Sequence, residues 1–264
     1  MVDFEQKDKY DFNDLLRIME ILRAPDGCMW DREQDHASIR RNFIEETYEV
    51  CEAIDEQDAD HLKEELGDVL LQVVFHAKME KEKGVFDIGD VADGVCKKLI
   101  FRHPHIFGSV EVGSSEEILR NWDALKRVEK HQETDTSALD SVARSLPGLI
   151  RAEKLQKKAA KGGVDGENVQ GAFDKVEEEI GELRQAVDGN GDAEEELGDL
   201  LFAVVNVARH LKVDPERALE KTCDKFISRF ASMERQARAA DQTLSDLSLE
   251  ELDALWDKAK QTEG

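Results

Sequence analysis

The chain has 264 residues, and its 36 Lys and Arg against 60 Asp and Glu leave a formal net charge of −24. So acidic a protein is excluded from nonspecific binding to nucleic acid or anionic membranes, partners that require a basic face. Apolar residues make up 40%, enough for packed cores, yet no stretch approaches the ~18 apolar residues of a membrane span.

Few aromatics (6%), 4 prolines and 36% charged residues form a helical rather than a sheet composition. The length suits one large domain or two ordinary ones. The opening "MVDFEQKDKYDFN" is acidic and polar, unlike a secretory signal. Cys28, Cys51, Cys96 and Cys223 are scattered without CxxC spacing. That reads as reduced thiols in a cytoplasmic protein and argues against zinc.

In chain order, an acidic helical stretch "FIEETYEVCEAI" (43–54) comes first, then a short turn "DEQDAD" (55–60). A second helix follows through "EELGD" (64–68). Its apolar positions Leu66, Val69, Leu70, Val73, Val74 and Ala77 recur at i, i+3, i+4, i+7, i+8 and i+11, a helical period. So short a connection predicts an antiparallel hairpin. Next come "KLIFR" (98–102), then "FRHPHIF" (101–107) and "GSVEVGSS" (108–115), read as a loop. His103 and His105 around Pro104 are expected to shape a loop or helix end, with metal or phosphate binding as the alternative. "WDALK" (122–126) closes this half, and "HQETDTSALDSVARSLPG" (131–148) reads as linker-like.

The same order then recurs: "FDKVEEEIGELRQAV" (173–187), "DGNGDA" (188–193), "EELGD" (195–199), "KFISR" (225–229) and "WDKAK" (256–260). Leu197, Leu200, Leu201, Val204, Val205 and Ala208 repeat the first apolar stripe. The expected fold is therefore all-α, with two homologous helical-bundle domains at 1–130 and 146–264 and a linker at 131–145.

In the first half Glu45 and Glu46 precede Glu49, then Glu65 and Asp68; in the second, Glu178 and Glu179 precede Glu182, then Glu196 and Asp199. Residues three apart share a helix face, so Glu46 and Glu49 can face Glu65 and Asp68 across the hairpin. On the helical wheel Glu65 and Asp68 lie beside Leu71 and Phe75, in a helix apolar nearly all round, which predicts burial. Its Leu66 opens the core stripe, and Gly67 is small enough to permit close helix approach. Buried carboxylates stay protonated or recruit cations, and all-oxygen ligands suit Mg²⁺ or Mn²⁺. A di-iron centre would require Glu-x-x-His on two helices; His76 and His210 are misplaced for it and read as ordinary helix histidines.

Lys98 and Arg102, like Lys225 and Arg229, are like charges at i, i+4, which repel mildly in isolation. Repetition in both halves favours a shared anionic ligand. Arg offers a fork to phosphate oxygens and Lys a point charge. Trp122 with Lys126, and Trp256 with Lys260, recur as W-x-x-x-K; the Trp is either core or a platform for a base. Metal, phosphate grips and aromatic platform together point to a nucleoside polyphosphate, bound without a glycine-rich P-loop.

The chain resembles the MazG family of nucleoside triphosphate pyrophosphohydrolases in its two-domain bacterial form. The likeness rests on "WDREQDHASIRRNFIEETYEV", "EELGDVLLQVVFHA", "RHPHIFG", "SLPGLIRAEKLQKKA" and "EELGDLLFAVVNVARH". The family signature matches Glu45, Glu46, Glu49, Glu65 and Asp68, and equally Glu178, Glu179, Glu182, Glu196 and Asp199. The resemblance implies an all-helical homodimer that cleaves NTP to NMP and pyrophosphate with Mg²⁺. It also implies that Lys225, Arg229, Trp256 and Lys260 hold the nucleotide in the second domain. Met29 stands where the family's first domain usually has Pro, and Val164-Asp165-Gly166 where its second usually has Phe-Asp-Trp. Glu45 and Glu178, the extra acid of each set, are the expected catalytic bases, with water attacking the α-phosphorus. Two alternatives stay open: a helical scaffold without activity, and a chain with only one working half.

Overall fold

The computed structural model describes residues 4–130, 132, 134–164, 166 and 168–262. Among the described residues the regular structure is helical throughout, with no strand, and 108–114 form a loop. The chain divides into two units, 1–125 and 126–264. The boundary falls within the helix Ser115–Glu129, and the segment expected as a linker carries a short helix, Asp135–Asp140. His131 and Glu133 lie outside the described residues.

In the first unit, α1 (Phe12–Leu22) and the short α2 (Met29–Glu33) precede the hairpin of α3 (Arg40–Glu56) and α4 (Ala59–Glu82). Two residues make the turn. Gln57 adopts a left-handed conformation with φ 58° and closes α3. Asp58 caps α4 by accepting hydrogen bonds from the backbone N–H of Asp60 and His61. With so short a joint the helices must run antiparallel. α1 lies on α4, and Met19 of α1 packs with Ile39, Val74, Phe75 and Met79 to form the core, edged by Leu15, Leu16, Leu71 and Ile88. Beyond α4 come α5 (Ile88–Arg102), α6 (Pro104–Phe107) and α7 (Ser115–Glu129). Pro104 starts α6 at its first position, and His103 before it is forced out of helical geometry (φ −120°, ψ 58°).

The second unit repeats the hairpin. α8 (Asp135–Asp140) and α9 (Gly148–Lys161) lead into α10 (Val169–Val187) and α11 (Ala193–Leu211). The turn uses Gly189 at φ 92°, a conformation that disfavours other residues, and Asp192 caps α11 through the N–H of Glu194. α9 packs on α11 and on α12 (Pro215–Ala239), which pairs with α13 (Leu249–Thr262). Ala172, Ala186, Ala203, Val205, Val207, Met233, Ala237 and Ala259 are buried here.

The stripe that follows each "EELGD" is only half core. Val74 and Val205 are buried, but Leu66 is 51% exposed and Leu201 50%. One hairpin partner covers one side of a helix, so α4 and α11 keep some apolar side chains outward. The expected full burial does not hold within one chain. The glycines do not mediate close approach either: a Cβ on Gly67 or Gly198 would meet nothing within 4 Å.

Candidate functional site

Each hairpin brings three carboxylates together. In the first unit Glu46, Glu49 and Glu65 offer oxygens that all lie within 4.8 Å of one another; in the second, Glu179, Glu196 and Asp199 do so. The i, i+3 spacing puts Glu46 and Glu49 on one face of α3, and the tight turn sets that face against α4. The fourth expected acid differs between units. Asp68 lies outside the first trio, yet its charge acts on both Glu46 and Glu65. Glu182 lies outside the second, hydrogen-bonded to Glu179.

Crowding of like charges shows in the protonation equilibria. Burial first, then a hydrogen bond with Glu49 and the charge of Asp68, pushes the Glu46 carboxyl above its ordinary range. Burial and the charge of Glu49 push Glu65 the same way; His61, 3.3 Å from it, partly offsets this. In the second unit, burial and then the charges of Glu179 and Asp199 raise Glu196. Glu182 is raised chiefly by its hydrogen bond to Glu179. Glu179 goes the other way, because Lys175 donates to it at 2.6 Å and holds it ionised. Glu179 is 4% exposed, and its Oε2 accepts no hydrogen bond. A desolvated, ionised oxygen without a donor is the feature a cation satisfies.

Glu45 and Glu178, the expected bases, lie outside both trios. Glu45 pairs with Arg41 at 2.7 Å on the surface. Glu178 shares Lys175 with Glu179, at 3.0 Å. The basic and aromatic residues meet one another in the second unit: the Arg229 guanidinium sits 5.5 Å over the Trp256 ring, and Phe226 lies 5.5 Å from the same ring. Lys225 is exposed on α12, and Lys260 on α13 is ion-paired with Asp257 at 3.1 Å. In the first unit Trp122 is 38% exposed and stands 5.8 Å from His103, which in turn lies 5.6 Å from His105. Lys98 and Arg102 occupy the last turns of α5, and Lys126 follows Trp122 by one turn on α7.

Sequence reasoning missed a cleft of about 990 Å³ in the second unit. Residues of α9, α10 and α11 line it, among them Glu179, Asp199, Leu155, Phe202 and Gln156. Val164 and Gly166 border it, while Asp165 between them lies outside the described residues. Lys175 was legible, since it stands one turn before Glu179. Gln156 was not, because its burial depends on how α9 packs against α11.

The family model of the MazG nucleotide pyrophosphohydrolase domain matches residues 34–107 and 169–232, the two hairpins with their flanks. The chain is 45% identical over 249 residues to the nucleoside triphosphate pyrophosphohydrolase/pyrophosphatase MazG of Thermotoga maritima, covering 94% of this chain and 95% of that one. It is 45% identical over 254 residues to the nucleoside triphosphate pyrophosphohydrolase of Escherichia coli K12, covering 94% and 97%. Bacillus subtilis protein YabN is 47% identical over 257 residues, spanning 96% of this chain and 52% of that one.

Proposed function

Because the chain belongs to the MazG family of nucleotide pyrophosphohydrolases, we infer that it is a nucleoside triphosphate pyrophosphohydrolase, which hydrolyses an NTP to the monophosphate and pyrophosphate. The observation that carries the reading is the trio Glu179, Glu196 and Asp199, with a bare carboxylate oxygen on Glu179, set beside a nucleotide-sized cleft.

The donor set fits Mg²⁺, or Mn²⁺ in its place, because every ligand atom is a carboxylate oxygen. Glu179, Glu196 and Asp199, with Glu182 beside them, would hold it in the second unit. Glu46, Glu49 and Glu65, with Asp68, would hold it in the first. Bound there, the ion supplies Lewis-acid activation of water and neutralises triphosphate charge. Lys175 keeps Glu179 ionised and oriented. Glu178 and Glu45 are assigned as proton acceptors for the water that attacks the α-phosphorus. Lys225, Arg229 and Lys260 offer cations to phosphate oxygens and Trp256 a stacking face; Lys98, Arg102, Lys126 and Trp122 are their counterparts.

Exposed apolar side chains support a homodimer: Leu197, Leu201 and Val204 on α11, and Phe226, Ile227 and Phe230 on α12, are each at least 44% exposed. No described helix is long and apolar enough to cross a membrane; a cytoplasmic location rests on the scattered cysteines, and the lack of a nucleic-acid partner on the net charge of −24. Incubation with each NTP and dNTP plus Mg²⁺ is expected to release pyrophosphate and monophosphate. Glu196→Gln should lower activity by about a hundredfold, the upper range lost when even outer-shell partners of a metal are removed. Orthophosphate as the product, or full activity in the variant, rejects the reading.

A further inference from the structure

Gln156 sits on α9, only 8% exposed, and lines the cleft that also holds Glu179 and Asp199. Its Nε2 donates to the backbone carbonyl of Phe202 at 2.7 Å. A carbonyl oxygen only accepts, so the amide cannot flip: the reverse orientation would set two acceptors against each other. Its Oε1 is thereby fixed, and it accepts no hydrogen bond. Burial keeps solvent from compensating it, and a buried acceptor left bare is costly. Gln156 is one of the residues that line the cleft. Apolar side chains there, Leu139, Leu155 and Phe202, suit the faces of an aromatic ring.

We propose that Gln156 is a specificity-determining residue, whose Oε1 accepts a hydrogen bond from an N–H on the nucleobase of the bound triphosphate. The proposal rests on the pyrophosphohydrolase reading and deepens it. The lining that includes Glu179 and Asp199 also includes these apolar side chains, so a triphosphate held at the carboxylates through a cation leaves its base to the apolar lining of the same cleft. Adenine and cytosine present an exocyclic amine, and guanine an amine of its own. A lone acceptor therefore admits several bases and rejects one that carries no donor.

The test compares substrates that differ by one amine. Purine riboside triphosphate is ATP without its 6-amino group, and 2-pyrimidinone riboside triphosphate is CTP without its 4-amino group. With wild-type protein and Mg²⁺, kcat/KM for pyrophosphate release is expected to fall roughly tenfold or more on loss of the amine, the size of effect when a buried polar group loses its partner. The fall should be carried in KM. In Gln156→Met, which keeps the side-chain length and removes the acceptor, each amine-to-analogue ratio should drop toward one. Equal kcat/KM for amine and analogue in the wild type overturns the proposal, and that arm requires no variant to fold. An unchanged ratio in Gln156→Met overturns it too. If no NTP or dNTP yields pyrophosphate, the functional reading fails and this proposal with it.

Discussion

His76 acquires a particular environment only when the first unit folds. Its ring stacks on His36 at 5.0 Å and 5°, and their Nδ1 atoms are 2.7 Å apart. One Nδ1 must carry a hydrogen and the other must not. His36 Nε2 meets Glu80 at 2.6 Å, Glu80 also takes Lys83, and Phe43 packs edge-on against His76. Burial, then the charge of His36, lowers the pKa of His76 below its ordinary 6.5. The unfolded chain therefore takes up this proton more readily than the folded one. Stability is unaffected above about pH 6.5 and is lost as pH falls through the folded value. His76→Gln should flatten the stability profile below about pH 6.5. Urea midpoints measured across that range check it, and parallel profiles for both proteins would sink the idea. Sequence placed His76 on a helix but could not place it against His36, which lies 40 residues away.

At the scale of elements, Arg23 ties three helices of the first unit. It follows α1, donates to the carbonyls of Asp31 and Gln34 at the end of α2, and pairs with Glu82 of α4 at 2.8 Å. Its guanidinium also lies 5.2 Å over the Phe75 ring. Arg23→Met removes these bonds and strands part of Glu82. Because Glu82 is 32% exposed, the expected cost is about 2–3 kcal/mol, under the ~3–5 kcal/mol of a fully buried pair. Chemical denaturation reads this directly, and a loss below about 1 kcal/mol, typical of a surface pair, would show that the clamp contributes little. The hairpins themselves were legible, because a short turn ending in a capping Asp between two periodic stretches leaves little other packing. The outward half of the apolar stripe was not, since periodicity marks a face without saying what covers it.

Across the whole molecule, the two units share their pattern of acids but differ in the side chains packed around them. Arg23 stands 23 residues before Glu46, and Gln156 stands 23 residues before Glu179. Phe75 and Asn206 stand 131 residues apart, the offset of the two "EELGD" segments. In the first unit Arg23 and Phe75 pack against each other at these positions; in the second, Gln156 and Asn206 line open space. A nucleoside therefore finds room in the second unit. Glu196→Gln is expected to remove nearly all of the pyrophosphate release, while Glu65→Gln leaves it close to the wild-type rate, since the nucleotide-sized cleft adjoins the second unit's carboxylates. Steady-state assays of the two variants decide this, and equal losses would mean that both units turn over nucleotide.

The sequence by itself determined the helices, the two hairpins and the pairs of acids. A helix brings residues three and four apart to one face whatever surrounds it, and a short capped turn folds the second helix back on the first. Only the tertiary structure decided which acids share a site, with Asp68 outside one trio and Asp199 inside the other. It alone decided that Gln156 is buried with a bare oxygen and that Arg23 fills what the second unit leaves open. Those outcomes depend on how a third helix packs against the hairpin, and no spacing within the hairpin encodes that.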